Sequence, residues 1–171
     1  MKKSKTLYLC QAAIIAALYV VLTWMSAVLG LASFAVQCRL GEALCILPLF
    51  LPAAVPGLGV GCLVANLLLS SPVPDLIFGT LATLIGAVLC RLIGRVWHSY
   101  SLPNLIVATL PNVVANTIIV PLVLRYAYGL DDAFWLLAAQ VGGGELVSGT
   151  VLGVALALAI PHRLRDRLFH S

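Results

Sequence analysis

Residues 43–69 read ALCILPLFLPAAVPGLGVGCLVANLLL. The run is apolar throughout, as a membrane-crossing helix must be over about 20 residues. Its prolines forbid one continuous helix. Pro48, Pro52 and Pro56 recur at a spacing of four, followed by Gly57, Gly59 and Gly61. Each proline removes a backbone donor and crowds the preceding turn. A break around residues 53–56 follows. The two pieces are then roughly 11 and 14 residues long, or about 16 and 21 Å at 1.5 Å per residue. Neither piece crosses ~30 Å of hydrocarbon unaided. Both must be buried against neighbours, because irregular backbone at membrane depth is tolerated only inside protein or beside a cavity. Residues 31–41, just before them, are expected to dip toward that cavity.

Four other apolar runs fall at residues 6–29, 76–92, 102–124 and 134–160. The first is too long for the 7–15-residue core of a signal peptide and reads as a retained spanning helix. The chain therefore has six spans if residues 43–69 break and five if they do not. Lysine and arginine decide between them, since they accumulate on the cytoplasmic side. With six spans, Lys2, Lys3, Lys5, Arg91, Arg95, Arg163, Arg165 and Arg167 are cytoplasmic and Arg39 and Arg125 are outside, a split of 8 to 2. With five spans the split is 4 inside and 6 outside. The reading is an all-α integral membrane protein of six transmembrane helices. The second and third are short and interrupted by proline and glycine. Residues 1–171 form a single domain, with both termini at the cytoplasmic face of the cell membrane.

Composition excludes other classes. The chain is 62% hydrophobic and 9% charged, against about 25% charged in soluble domains. Its net charge of +4 comes from basic clusters between apolar runs, not from a nucleic-acid-binding pattern. Five cysteines, with no Cys-x-x-Cys pair, define no disulfide or zinc framework. The histidines, His98, His162 and His170, lie outside the spans, so no metal site is expected. No phosphate-binding glycine loop opens a strand–helix unit. Enzymatic activity and a cofactor are not expected, and any ATPase that powers this chain is a separate polypeptide.

Ionisable groups inside a membrane are expensive and mark function. Glu145 lies about twelve residues into the last run, after Gly142, Gly143 and Gly144. The alternative there is a glycine-rich packing face with the carboxylate paired to a neighbour. Glu42 opens the short second helix, where it serves a ligand, the helix dipole, or an ion pair with Arg39 three residues earlier. Asn112 and Asn116 share one face of the fifth helix, with Thr109; a ligand or interhelical hydrogen bonding explains them. Asn66 reads as structural, and Asp75, after Pro74, as a helix cap. On the first helix Ala12/Ala16 and Ala13/Ala17 form two overlapping small-x-x-x-small spacings, which permit close helix approach.

The run FAVQCRLGEALCILPLFLPAAVPGLGVGCLVANLL, with Arg39 and Glu42 near its start, resembles the QueT family of S-components, the substrate-binding subunits of energy-coupling factor (ECF) transporters. PDLIFGTLATLIGAVL, TLPNVVANTIIV and GGGELVSGTVLG are similar to it as well. The resemblance implies six helices and a queuosine-precursor substrate such as 7-aminomethyl-7-deazaguanine or queuine. It also implies a membrane scaffold subunit and two cytoplasmic ATPase subunits as partners. It puts the scaffold contact on Ala12, Ala13, Ala16 and Ala17. Gly41 departs from the serine expected before the glutamate. A deazaguanine offers N1–H and a 2-amino group along one edge, which suit a carboxylate, and its aminomethyl arm is a cation that suits a second. The expected site is Glu42, Asn112, Asn116, Gln140 and Glu145 in the outer half of the bilayer, with Gln37 and Arg39 on a closing loop. The alternatives are a stand-alone secondary transporter or channel for a small cationic solute, and a membrane scaffold without a ligand.

Overall fold

The computed structural model describes residues 5–31, 38–97, 101–127, 129 and 132–161. Six helices follow one another: α1 Lys5–Val28, α2 Leu40–Leu49, α3 Ala54–Leu68, α4 Val73–Val96, α5 Leu102–Tyr126 and α6 Phe134–Ala159. Four of them, α1, α4, α5 and α6, are long and apolar enough to cross a membrane. Two are not α-helical throughout. α2 is wound as a 3₁₀ helix, and α6 carries a π-helical stretch at Leu146–Leu152. Many large apolar side chains on α1, α4 and α5, among them Leu9, Ile14, Ile77, Phe78, Val114 and Ile118, face outward and exposed. That surface is stable in lipid and a liability in water.

The break in the proline-rich run falls at residues 50–53, a few residues ahead of Pro56. Pro56 instead enters the first turn of α3, where a missing N–H costs no intrahelical bond. α2 is the centre of the molecule. Gly41 to Ile46, Pro48 and Leu49 are all buried. One side of α2, at Leu44 and Cys45, packs with Ile15, Tyr19 and Leu58; the other, at Ile46 and Leu49, packs with Cys90, Leu105 and Ala157.

Both ends of α2 are tied to the ends of long helices. At its start the Leu40 amide donates to Ser26 Oγ (2.8 Å), near the end of α1. There Gly30, at φ +72°, closes α1, with the Leu31 amide donating to Ser26 O as in a glycine-terminated helix. Arg39 meets Asp75 in the first turn of α4. At the other end Arg91 Nη1 donates to the carbonyls of Pro48 (3.4 Å) and Leu49 (3.3 Å), a cation on the negative end of the helix dipole. Asp75 and Arg91 are sixteen residues apart on α4, about 24 Å along an α-helix. Ten α-helical residues would rise only about 15 Å. Wound as 3₁₀ at about 2.0 Å per residue they rise about 20 Å. The tighter winding lets a short segment match most of the depth of its neighbour.

α1 and α3 approach through small residues. A Cβ on Gly57 would lie 2.7 Å from the Ala12 carbonyl oxygen, and one on Gly61 would lie 3.0 Å from that of Ala16. The two alanine spacings of α1 therefore separate: Ala12 and Ala16 are partly covered by α3, whereas Ala13 and Ala17 are exposed. At Gly57 the obstacle is backbone, which cannot rotate away. Overpacking costs about 1–3 kcal/mol, more than the ~1 kcal/mol that alanine gains in helix propensity. Gly57→Ala should therefore lower the thermal unfolding midpoint in detergent, while Ala13→Leu on the exposed face should leave it within experimental error. Equal midpoints for Gly57→Ala and the unsubstituted protein would contradict this packing.

Candidate functional site

Glu42 enters from the first turn of α2, Asn112 from the middle of α5 and Glu145 from α6, immediately before its π-helical stretch. These three side chains form one buried cluster. Asn112 Nδ2 donates to Glu42 Oε2 at 3.0 Å and to Glu145 Oε2 at 3.2 Å. A single carboxamide thus bridges two carboxylates, 2% and 5% exposed. Gly86 of α4 makes this possible, since a Cβ there would lie 2.6 Å from both Asn112 Cα and Oδ1.

The two carboxylates differ in how well they are satisfied. Glu42 accepts two further bonds, from Tyr19 OH of α1 and from Cys45 Sγ (3.2 Å) one turn along its own helix. Glu145 accepts only the Asn112 bond among the described residues, although a carboxylate has room for about four. Among the described residues neither glutamate is in an ion pair. A buried charge without a partner is costly, so this cluster has the form of a site that a cation or a strong donor completes.

The windings around it are unusual. A 3₁₀ run beyond 3–4 residues is uncommon, and π-helical turns are rare and frequently found at functional sites. In α6 Ser148 Oγ bonds back to Gly144 O (2.8 Å), and Thr150 meets Thr109 of α5 at 2.9 Å. Gly149 faces the cluster, where a Cβ would stand 3.6 Å from Glu145 Oε2. Gly153 brings α6 onto α2, its Cβ position lying 3.3 Å from Ala43 O.

The other expected residues divide. Asn116 is buried one turn beyond Asn112 and donates to its backbone carbonyl at 3.1 Å. Gln140 is half-buried, and its Oε1 is enclosed without a hydrogen-bond partner among the described residues. Gln37 lies outside the described residues. Arg39 turns away from the cluster: Nη1 donates to Asn66 Oδ1 (3.3 Å) and Nη2 pairs with Asp75 Oδ2 (3.5 Å). The ion pair with Glu42, one of the alternatives for that residue, is absent among the described residues, and Arg39 pairs with Asp75 instead. Nor does Asp75 cap α4, whose N-terminus has no side-chain cap. At Gly41, a Cβ would collide with Thr23 Oγ1, so the threonine of α1 fills the space that a serine would need. Ala12 and Ala16 flank a groove of about 260 Å³ between α1 and α3 that also touches Ala13.

Two residues of the cluster escaped the sequence reading. Tyr19 stands in the middle of an apolar helix, where a buried hydroxyl must find a partner. That position was the available signal. Cys45, one of five cysteines that define no framework, carried no signal beyond its three-residue distance from Glu42.

A family model described as QueT transporter matches residues 9–162. No curated protein and no solved structure matches the chain.

Proposed function

The chain belongs to the QueT transporter family, a family of membrane transport proteins and not of enzymes, and from that footing we propose that it is the substrate-binding S-component of an ECF-type ATP-driven importer. Its cargo is a queuosine precursor of the 7-aminomethyl-7-deazaguanine or queuine type. The observation that carries this reading is Glu145, buried yet accepting a single hydrogen bond beside Glu42. Its open capacity and the enclosed Gln140 Oε1 are both acceptors, so the complementary ligand is rich in donors. A deazaguanine with an aminomethyl arm supplies N–H groups and an ammonium. Glu145 takes the ammonium, and Glu42, already held by Tyr19 and Cys45, lies beside it. Asn112 fixes the spacing of the two carboxylates, and Asn116 and Gln140 border the ring.

The same reading makes residues 1–171 one six-span domain with both termini cytoplasmic. The 8-to-2 split of basic residues supports it. So do the ties from α2 to Asp75 at one end of α4 and Arg91 at the other, because a segment that keeps pace with a spanning helix crosses with it. The ligand site then lies in the outer half of the bilayer, near Glu42. The scaffold subunit, which carries the two ATPases, docks along the exposed Ala13/Ala17 edge of α1 and the groove beside it.

Two measurements test this. Hydrogen bonds to charged groups are worth about 1.5–3 kcal/mol. Calorimetry should therefore show Glu145→Gln binding the aminomethyl compound roughly 10- to 150-fold more weakly, with a much smaller loss for the uncharged nitrile analogue. Unchanged affinity for both compounds in Glu145→Gln and in Glu42→Gln would make both glutamates structural.

For the partner, Ala13→Trp or Ala17→Trp should abolish uptake in cells that supply the scaffold and ATPases while preserving binding by the isolated chain. Undiminished uptake would remove this face from the docking surface. Proton-driven uptake by the isolated chain would favour a secondary transporter.

A further inference from the structure

Beyond the carboxylate cluster a second buried polar network joins α2, α3 and α4. Asp75, which is buried, pairs with Arg39, and Asn66, fully buried, accepts from the same guanidinium. Asn66 Nδ2 donates in turn to Asp75 O (3.4 Å) and to Cys62 Sγ (3.7 Å). Gly79 leaves room for the arrangement, since a Cβ there would press within 3.3 Å of Asp75 Oδ1 and 3.4 Å of Asn66 Nδ2. Among the described residues no side chain of this network bonds directly to Glu42, Asn112 or Glu145; the direct tie is backbone, the Glu42 amide donating to the Arg39 carbonyl.

A mobile arginine beside two buried carboxylates would ordinarily neutralise them, since an unpaired charge in a low-dielectric interior is strongly attracted to its opposite. Here the guanidinium is held elsewhere. We propose that Asp75, aided by Asn66, is a positioning residue that keeps the Arg39 guanidinium out of contact with the glutamate pair, so that the cation in direct contact with Glu145 is the ligand's and not the protein's own. Asp75 touches no ligand in this arrangement. It sets the charge specificity of the site by holding Arg39 away from the two carboxylates.

The inference rests on the proposed function and is separable from it. Affinities would be measured by calorimetry on the full chain for 7-aminomethyl-7-deazaguanine and its uncharged nitrile analogue. The variants are Asp75→Asn and Arg39→Gln/Asp75→Asn. Asp75→Asn releases the guanidinium to compete with the ligand cation. It should weaken the aminomethyl compound by roughly 10-fold or more, the size of a lost charge-assisted contact, and the nitrile by much less. Removing the competitor in the double variant should restore most of the affinity. A purely structural Asp75 would behave otherwise: both compounds would weaken alike, or the double variant would be no better than the single one, and either result overturns the inference. Failure of the unsubstituted chain to bind either compound would overturn the proposed substrate, and this inference with it.

Discussion

Asn112 Nδ2 reaches two carboxylates at once, and most of the surrounding architecture exists to make that bond possible. Glu42 and Glu145 arrive on helices that are far apart in sequence and wound differently, one tightened to 3₁₀ and the other loosened to π. Asn112 sits between them because Gly86 has no side chain to exclude it. Two acidic groups in a hydrocarbon interior are costly. The bridge, the Tyr19 hydroxyl and the Cys45 thiol recover part of that cost around Glu42 and leave Glu145 with capacity to spare. The asymmetry gives the site a direction: one carboxylate is anchored and the other is available.

The position of Glu42 follows from α2. A ten-residue segment enclosed by its neighbours must carry a polar residue deep into the protein without leaving its ends stranded. Ser26 Oγ and the Arg39–Asp75 pair hold one end, and the Arg91 guanidinium holds the other. The 3₁₀ rise supplies the length that ten α-helical residues lack. Small residues do the complementary work elsewhere. Gly57 and Gly61 draw α3 onto α1, and Gly153 draws α6 onto α2.

Much of this was legible in the sequence. Hydropathy located the four long helices and the broken run, the rarity of acids in apolar segments picked out Glu42 and Glu145, and the polar stripe on the fifth helix picked out Asn112. What could not be read were contacts between residues far apart in the chain. Proline spacing located a break but not its register, because Pro56 is as compatible with a first turn as with a loop. Arg39 and Glu42 looked like partners by proximity, yet Asp75, thirty-six residues on, takes the arginine. Tyr19 gave only the hint of a polar tip in an apolar helix. The alanines of α1 were indistinguishable by spacing, and only packing against Gly57 and Gly61 separates the covered pair from the exposed one.

The central claim is that this buried carboxylate pair is a binding site for a cationic deazaguanine. The most direct measurement is mass spectrometry of small molecules extracted from the purified chain after expression in cells that contain queuosine precursors. The account predicts a deazaguanine near one equivalent per chain, lost from a Glu42→Gln/Glu145→Gln double variant that remains folded. An unsubstituted chain that carries no such compound, or a double variant that retains it in full, would contradict the account.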